Sequence, residues 1–271
     1  MREYWDSVSD SLVSSMQYSK FGLHLTPFWR LERKLIIGLC IMHLIKKTEG
    51  DRFLLLKSDL WNEALDSKGG NIYDFLGAAI ELVDVIGIDI SPQICRRAKR
   101  NNCSQELDVA CGDIRSLPFE QMTYDAILDL STLDHIPASQ TSLVIQEYYR
   151  VLKTRGILCL VFDTPTCRIL RYLRKLFNYV RYGSRLSFNY WWPLPPDRVR
   201  HHLIESGFII LNEIPLGLFS LSPVFLKIAK SRFVDTAFYK YLYHLRGTRD
   251  PVRIPRQLLP LSTQYMIIVT K

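Results

Sequence analysis

The segment Val85-Ile86-Gly87-Ile88-Asp89-Ile90-Ser91-Pro92 constrains this chain more than any other. An apolar run ends in a glycine and a single carboxylate, turns at Ser-Pro, and opens a helix that carries Arg96, Arg97, Lys99 and Arg100. A run that is apolar on both sides of its pleat reads as a strand buried on both faces, the kind a parallel sheet between two helical layers uses. An aspartate at the carboxyl tip of such a strand is placed to meet a ribose diol, because one carboxylate can accept both hydroxyl protons.

The same rhythm runs through most of the chain. Strands are predicted at residues 52–56, 85–90, 107–111, 124–130, 156–162, 208–214 and 264–270. Helices are predicted at 28–46, 60–65, 78–83, 94–101 and 142–152. Strands alternating with helices imply a doubly wound α/β fold, Rossmann-like, with a mostly parallel seven-stranded sheet. The last two strands suit the antiparallel edge that many such sheets carry. Residues 1–50 read as an N-terminal helical cap, and residues 51–271 as one domain. Two long inserts, at about 164–194 and 217–261, break the rhythm and are expected to be helical covers over an acceptor site.

Charge is unevenly spread. Residues 1–163 hold 18 Lys and Arg against 22 Asp and Glu, whereas residues 164–271 hold 17 against 5. A net of −4 in front and +12 behind points the back half toward an anionic partner, or else leaves it a solvated basic face. In the first insert, Ile169, Leu170, Leu173, Leu176, Phe177 and Val180 form one stripe, with Arg168, Arg171, Arg174, Lys175 and Arg181 mostly elsewhere. That profile suits a lid packed on the domain, and also a helix lying on an anionic membrane surface. No segment reads as an export signal or as a bilayer span, so a cytoplasmic location is expected, with peripheral membrane contact as its variant. The six cysteines form no C-x-x-C pair and read as reduced thiols, with no metal site expected.

Four acidic residues follow successive apolar runs: Asp59, Asp89, Asp113 and Asp129. Ligands of open α/β sheets bind outside the carboxyl ends of the strands, so these four converge on one rim. Here the sequence resembles the class I S-adenosylmethionine-dependent methyltransferases. Residues 85–92 look like their second motif. Gly112-Asp113-Ile114-Arg115-Ser116-Leu117-Pro118-Phe119 looks like the third. Tyr124-Asp125-Ala126-Ile127-Leu128-Asp129, followed by Ser131-Thr132-Leu133-Asp134-His135-Ile136, is similar to the fourth. Glu147-Tyr148-Tyr149-Arg150-Val151-Leu152-Lys153 with Gly156-Ile157-Leu158 resembles the helix and strand beyond.

The resemblance implies S-adenosyl-L-methionine as cofactor and methyl transfer as the reaction. Asp89 would hold the ribose hydroxyls. Asp113 would accept from the adenine amino group, with the Ile114 amide on a ring nitrogen and Ile90 and Ile114 on either side of the ring. Asp129 and Ser131 would line the methionine end. The family's first motif is a glycine-rich loop, whereas residues 55–63 here read Leu55-Leu56-Lys57-Ser58-Asp59-Leu60-Trp61-Asn62-Glu63. Moving Gly77 into that loop leaves only twelve residues to Asp89, too few for a helix and a strand. Ser58 and Asp59 therefore take the glycines' place, with Asp59 or Glu63 as partner for the cofactor's ammonium group. His135 stands where a proton acceptor would serve a hydroxyl or amine substrate. The expected acceptor is a small or lipid-linked molecule, anionic if the basic half meets it. A non-catalytic scaffold that keeps the fold is the second reading, motivated by the missing glycines. An RNA methyltransferase ranks third, since no RNA-binding module accompanies the charge.

Overall fold

Strand order decides where a ligand can bind, and here it reverses beside β1. The computed structural model describes residues 2–4, 6, 27–47, 52–64, 71–103, 107–165, 192–216 and 264–271. Its strands are β1 (Phe53–Lys57), β2 (Val83–Asp89), β3 (Asp108–Cys111), β4 (Tyr124–Leu130), β5 (Leu152–Asp163), β6 (Ile209–Leu216) and β7 (Gln264–Thr270). They form one seven-stranded sheet in the order β3-β2-β1-β4-β5-β7-β6. β1, β2, β3, β4 and β5 pair in parallel, while β7 runs antiparallel to both β5 and β6. The doubly wound sheet and its antiparallel edge thus stand as the sequence implied.

The helices are α1 (Pro27–Lys47), α2 (Trp61–Ala64), α3 (Tyr73–Leu76), α4 (Pro92–Asn101), α5 (Thr141–Val151) and α6 (Pro196–Glu205). Side chains alternate along each strand, so each strand feeds two cores. Ile157, Cys159 and Val161 of β5 join Ile36, Cys40 and Leu44 of α1 and Ile94 and Ala98 of α4. Leu158, Leu160 and Phe162 join Val144, Ile145 and Tyr148 of α5 and Val199 and Leu203 of α6. Among the described residues, no helix is long and apolar enough to cross a membrane.

Several boundaries differ from the sequence reading. β5 starts at Leu152 rather than 156, because Leu152 already pairs with Tyr124 and the chain bulges before Ile157 resumes the register opposite Ala126. Arg155 takes a left-handed φ of 65°, and its amide donates to Lys271 O at 3.1 Å. The helix expected at 60–65 is the single turn α2. The one expected at 78–83 is a 3-10 turn at Gly77–Glu81 that gives way to β2 at Val83. Most of both inserts, including the basic stripe at 167–182, lies outside the described residues.

Candidate active site

β2 and β3 deliver their carboxylates to the same rim. Asp89 pairs in register with Cys111, the last residue of β3, so Asp113 stands two residues past that strand's end. The Gly112 amide donates to Asp89 O at 3.0 Å and ties the two tips together. Asp89 is half-buried; Oδ1 accepts from the Ser91 amide at 2.9 Å and Oδ2 from the Leu60 amide at 3.3 Å. Burial, with the nearby charge of Asp59, pushes the Asp89 carboxyl up to about 7 despite these two amides. Ser91 then caps α4, its hydroxyl oxygen accepting from the Ile94 amide at 3.2 Å ahead of Pro92 at the first turn.

Asp113 meets a partner the sequence reading did not foresee. Arg115 grips both of its carboxylate oxygens, at 2.9 and 3.0 Å through Nε and 2.5 Å through one terminal nitrogen. The Arg115 amide adds a contact of 2.9 Å to Oδ1, and its other terminal nitrogen donates to Gln140 at 2.6 Å. Burial alone would raise the Asp113 carboxyl, but the Arg115 hydrogen bonds and charge hold it below its ordinary value. Ile114 is buried beside Ile88 and Leu117, while Ile90 stays half-buried.

The loop after β1 is built on charge instead of glycine. Lys57 is 2% exposed, and its ammonium lies 2.9 Å from Glu63 Oε2 and 3.6 Å from Asp59 Oδ2. It also donates to the Asp59 backbone oxygen. Burial pulls this lysine down, but Glu63 and Asp59 keep the ammonium charged. Glu63 is spent inside the protein, its Oε1 accepting from the Ile72 amide at 3.1 Å, so it cannot serve as the partner for a ligand's ammonium group. Asp59 retains partial exposure while its Oδ1 accepts from the Trp61 amide at 2.9 Å. Ser58 is buried against Thr132, which donates to Ser58 O at 2.7 Å.

At the end of β4 the roles divide. Asp129 is fully buried: Tyr148 donates to Oδ2 at 2.9 Å, and the Thr132 amide to Oδ1 at 2.8 Å. Burial raises its carboxyl to about 6. Its side chain therefore holds the turn from inside the fold. Ser131 takes a left-handed φ of 71°, and its hydroxyl accepts from Gln264 at 3.2 Å. Gln264 also donates to Asp163 Oδ1 at 2.9 Å. His135 is half-buried on the 3-10 turn Leu133–His135. Neighbouring Asp134 is buried with one orphan oxygen, and burial plus the charge of Asp163 raises it to about 7. Lys57, Arg115, Tyr148 and Gln264 escaped the sequence reading. Only Arg115 left a usable signal, a cation two residues from the acid it clamps. Among the described residues, no group of three or more His, Cys, Asp or Glu could hold a metal ion.

This order of strands with two carboxylates on neighbouring tips agrees with a family match: residues 69–160 fit the family described as "Methyltransferase domain". Residues 69–160 are thus similar to a methyltransferase domain. The matched stretch, about a third of the chain, starts after β1, so the glycine-free loop lies outside it. A curated relative, 2-methyl-6-phytyl-1,4-hydroquinone methyltransferase 1, chloroplastic, from Oryza sativa subsp. japonica, is 28% identical over 118 residues. That stretch is 42% of this chain but only 35% of the relative, so just over a third of the relative's length is matched. Among solved structures, geranyl diphosphate C-methyltransferase from Streptomyces coelicolor A3(2) is 12% identical, with a TM-score of 0.55 over 89% of this chain and 79% of its own. The cyclase SpnF is 17% identical, with a TM-score of 0.51 over 86% and 80%. These structures share this chain's fold, and the cyclase among them shows that the fold alone does not set the reaction.

Proposed function

We propose that this chain transfers a methyl group from S-adenosylmethionine to a small-molecule acceptor. The observation that carries the reading is the pair of part-exposed carboxylates, Asp89 and Asp113, on adjacent parallel tips beside the β1 switch point. The residues fit a nucleoside. Each Asp89 oxygen takes a single amide and keeps a lone pair for a diol. At Gly112 a Cβ would come within 3.1 Å of Ile88 and 3.2 Å of Pro118, so a larger residue between the two tips would have to push these side chains aside.

When bound, S-adenosylmethionine supplies a sulfonium-activated methyl group, so the protein's work is chiefly alignment. Asp89 would hold the ribose hydroxyls, and Asp113, oriented by Arg115, the adenine edge. The Ile114 amide would meet the ring. Ser131 and the backbone of the loop at 58–60 would border the amino-acid end. His135 would take a proton from a hydroxyl or amine acceptor. We infer further that the acceptor carries a long apolar group. The phytyl hydroquinone in the relative's name supports this reading, as does the geranyl chain in the structural neighbour's.

The second reading, a scaffold that keeps the fold, draws on Lys57 and Glu63, which fill the glycine loop's place with a buried ion pair. Titration calorimetry with S-adenosylhomocysteine separates the two. The enzyme reading expects micromolar binding that Asp89→Ala abolishes while the unfolding transition persists. Absence of heat and of thermal shift with the wild-type chain would favour the scaffold.

A further inference from the structure

Two residues from the start of the chain lie on the same strand tips as the proposed nucleoside site. Arg2 Nε donates to Ile90 O at 3.1 Å, and an Arg2 terminal nitrogen reaches Cys111 Sγ at 3.4 Å. Four residues on, Asp6 accepts from the Ser91 hydroxyl. Ile90 and Ser91 follow Asp89 directly, and Cys111 is the register partner of Asp89. Arg2 therefore bridges the tips of β2 and β3 beside the rim that bears Asp89 and Asp113, and Asp6 adds a third contact on the β2 side. Ser91 is wholly buried although it follows a strand tip, and its hydroxyl serves both α4 and Asp6. Nothing in the doubly wound fold needs these contacts, since the Gly112 amide already ties the two tips.

We propose that Arg2 and Asp6 form a strap across the nucleoside end of the cleft and set how fast the cofactor enters and leaves. The strap rests on the methyltransferase reading above, because the residues it covers are those assigned to ribose and adenine. Its chemistry suits a reversible closure. Arg2 makes its two contacts as single hydrogen bonds at exposed sites, and Asp6 adds one to the buried Ser91 hydroxyl, so all three can break without disturbing the sheet's own pairing. Arg2 can reach a carbonyl and a sulfur together because its guanidinium presents donors in a fixed fork, which a lysine would not.

Cys111 gives a readout that needs no turnover. It is exposed, and Cys103, also exposed near the end of α4, serves as its internal control. The wild-type chain and the Arg2→Ala/Asp6→Ala variant are pulsed with N-ethylmaleimide, and each cysteine is followed by peptide mass spectrometry. Dissociation of S-adenosylhomocysteine is followed in parallel by stopped flow. The strap requires Cys111 to react about tenfold faster in the variant with Cys103 unchanged, and the nucleoside to leave several-fold faster, since a loosened contact acts mainly through the off-rate. Arg2→Lys should give an intermediate Cys111 rate, which keeps the test sound if the double variant loosens α4 as a whole. An unchanged Cys111 rate in both variants overturns the strap, and so does an unchanged nucleoside off-rate. If the wild-type chain binds no nucleoside at all, the methyltransferase reading fails instead. Protection of Cys111 in that ligand-free protein would still reveal whether Arg2 and Asp6 cover the rim.

Discussion

The Leu60 amide donates to Asp89 Oδ2 at 3.3 Å, while the Leu60 side chain fills the space a Cβ at Gly87 would need. One residue of the glycine-free loop thus touches β2 twice, by backbone at its tip and by side chain two residues earlier. A Cβ at position 87 would lie 2.2 Å from Leu60 Cδ2, and Leu60 is fully buried with no room to yield. Gly87→Ala should therefore destabilise the protein by about 1–3 kcal/mol, the usual range for an overpacked core. It should also weaken S-adenosylhomocysteine binding by lifting Leu60 off Asp89. Adding Leu60→Ala reopens the space, so a double-mutant cycle in urea should show strong coupling. Additive losses would mean that the two residues do not meet.

The buried lysine gives a second prediction. Lys57 and Glu63 are 2% and 1% exposed and lie 2.9 Å apart. Removing one member of a buried pair strands the other charge, which costs about 3–5 kcal/mol, whereas replacing both with apolar groups can be neutral. Glu63→Gln should lower the urea midpoint sharply, and Lys57→Met with Glu63→Leu should restore most of it. If the single and double variants are equally unstable, the pair is not what holds this loop.

Arg115 and Asp113 make a milder case. Both side chains are about a third exposed or less, so solvent screens the pair and Arg115→Ala should cost only about 0.5–1 kcal/mol. The sign with pH follows from the direction of the shift. A carboxylate held below its ordinary value stabilises the fold above that value and loses the contribution as pH falls through its folded midpoint. Carbon-detected NMR titration should find the Asp113 midpoint moving up in Arg115→Ala. Nucleoside affinity should drop several-fold as the acid loses its fixed orientation. An unmoved midpoint would show that Arg115 does not govern this acid.

The strands that read most plainly in the sequence were those with apolar residues on both faces. Residues 124–130 and 264–270 were placed to the residue, and the aspartates at 89 and 113 were legible because a single charge closes each run. Asp129 obeys the same local pattern, yet it points inward. The difference is Tyr148, nineteen residues later on α5, whose hydroxyl gives that carboxylate a buried partner. Lys57 was invisible for a related reason. A lysine after three leucines reads as the solvated end of a strand, and only the fold brings Glu63 back over it. Arg2 and Asp6 reach the rim from 88 and 85 residues away in sequence, beyond any local periodicity.

Asp89 makes the sharpest pH prediction, because one shift acts in opposite directions on stability and on binding. Its folded carboxyl is raised to about 7, against an unfolded value of about 3.9. Between those values the folded protein holds a proton that the unfolded chain has released, so this group's contribution to stability falls as pH rises from about 4 to about 7. Binding runs the other way. The ionised carboxylate is the better acceptor for two ribose hydroxyls, so S-adenosylhomocysteine affinity should climb as pH rises through about 7 and level off about one unit above. Calorimetry at about pH 6, 7 and 8, beside urea melts at the same three values, tests both slopes in one preparation. Asp89→Asn cannot ionise and should flatten both, while losing at least tenfold in affinity at about pH 8, the loss expected for a charge-assisted contact. Should the variant keep the wild-type binding slope, another group carries the titration, and Asp89 is not the residue that meets the diol.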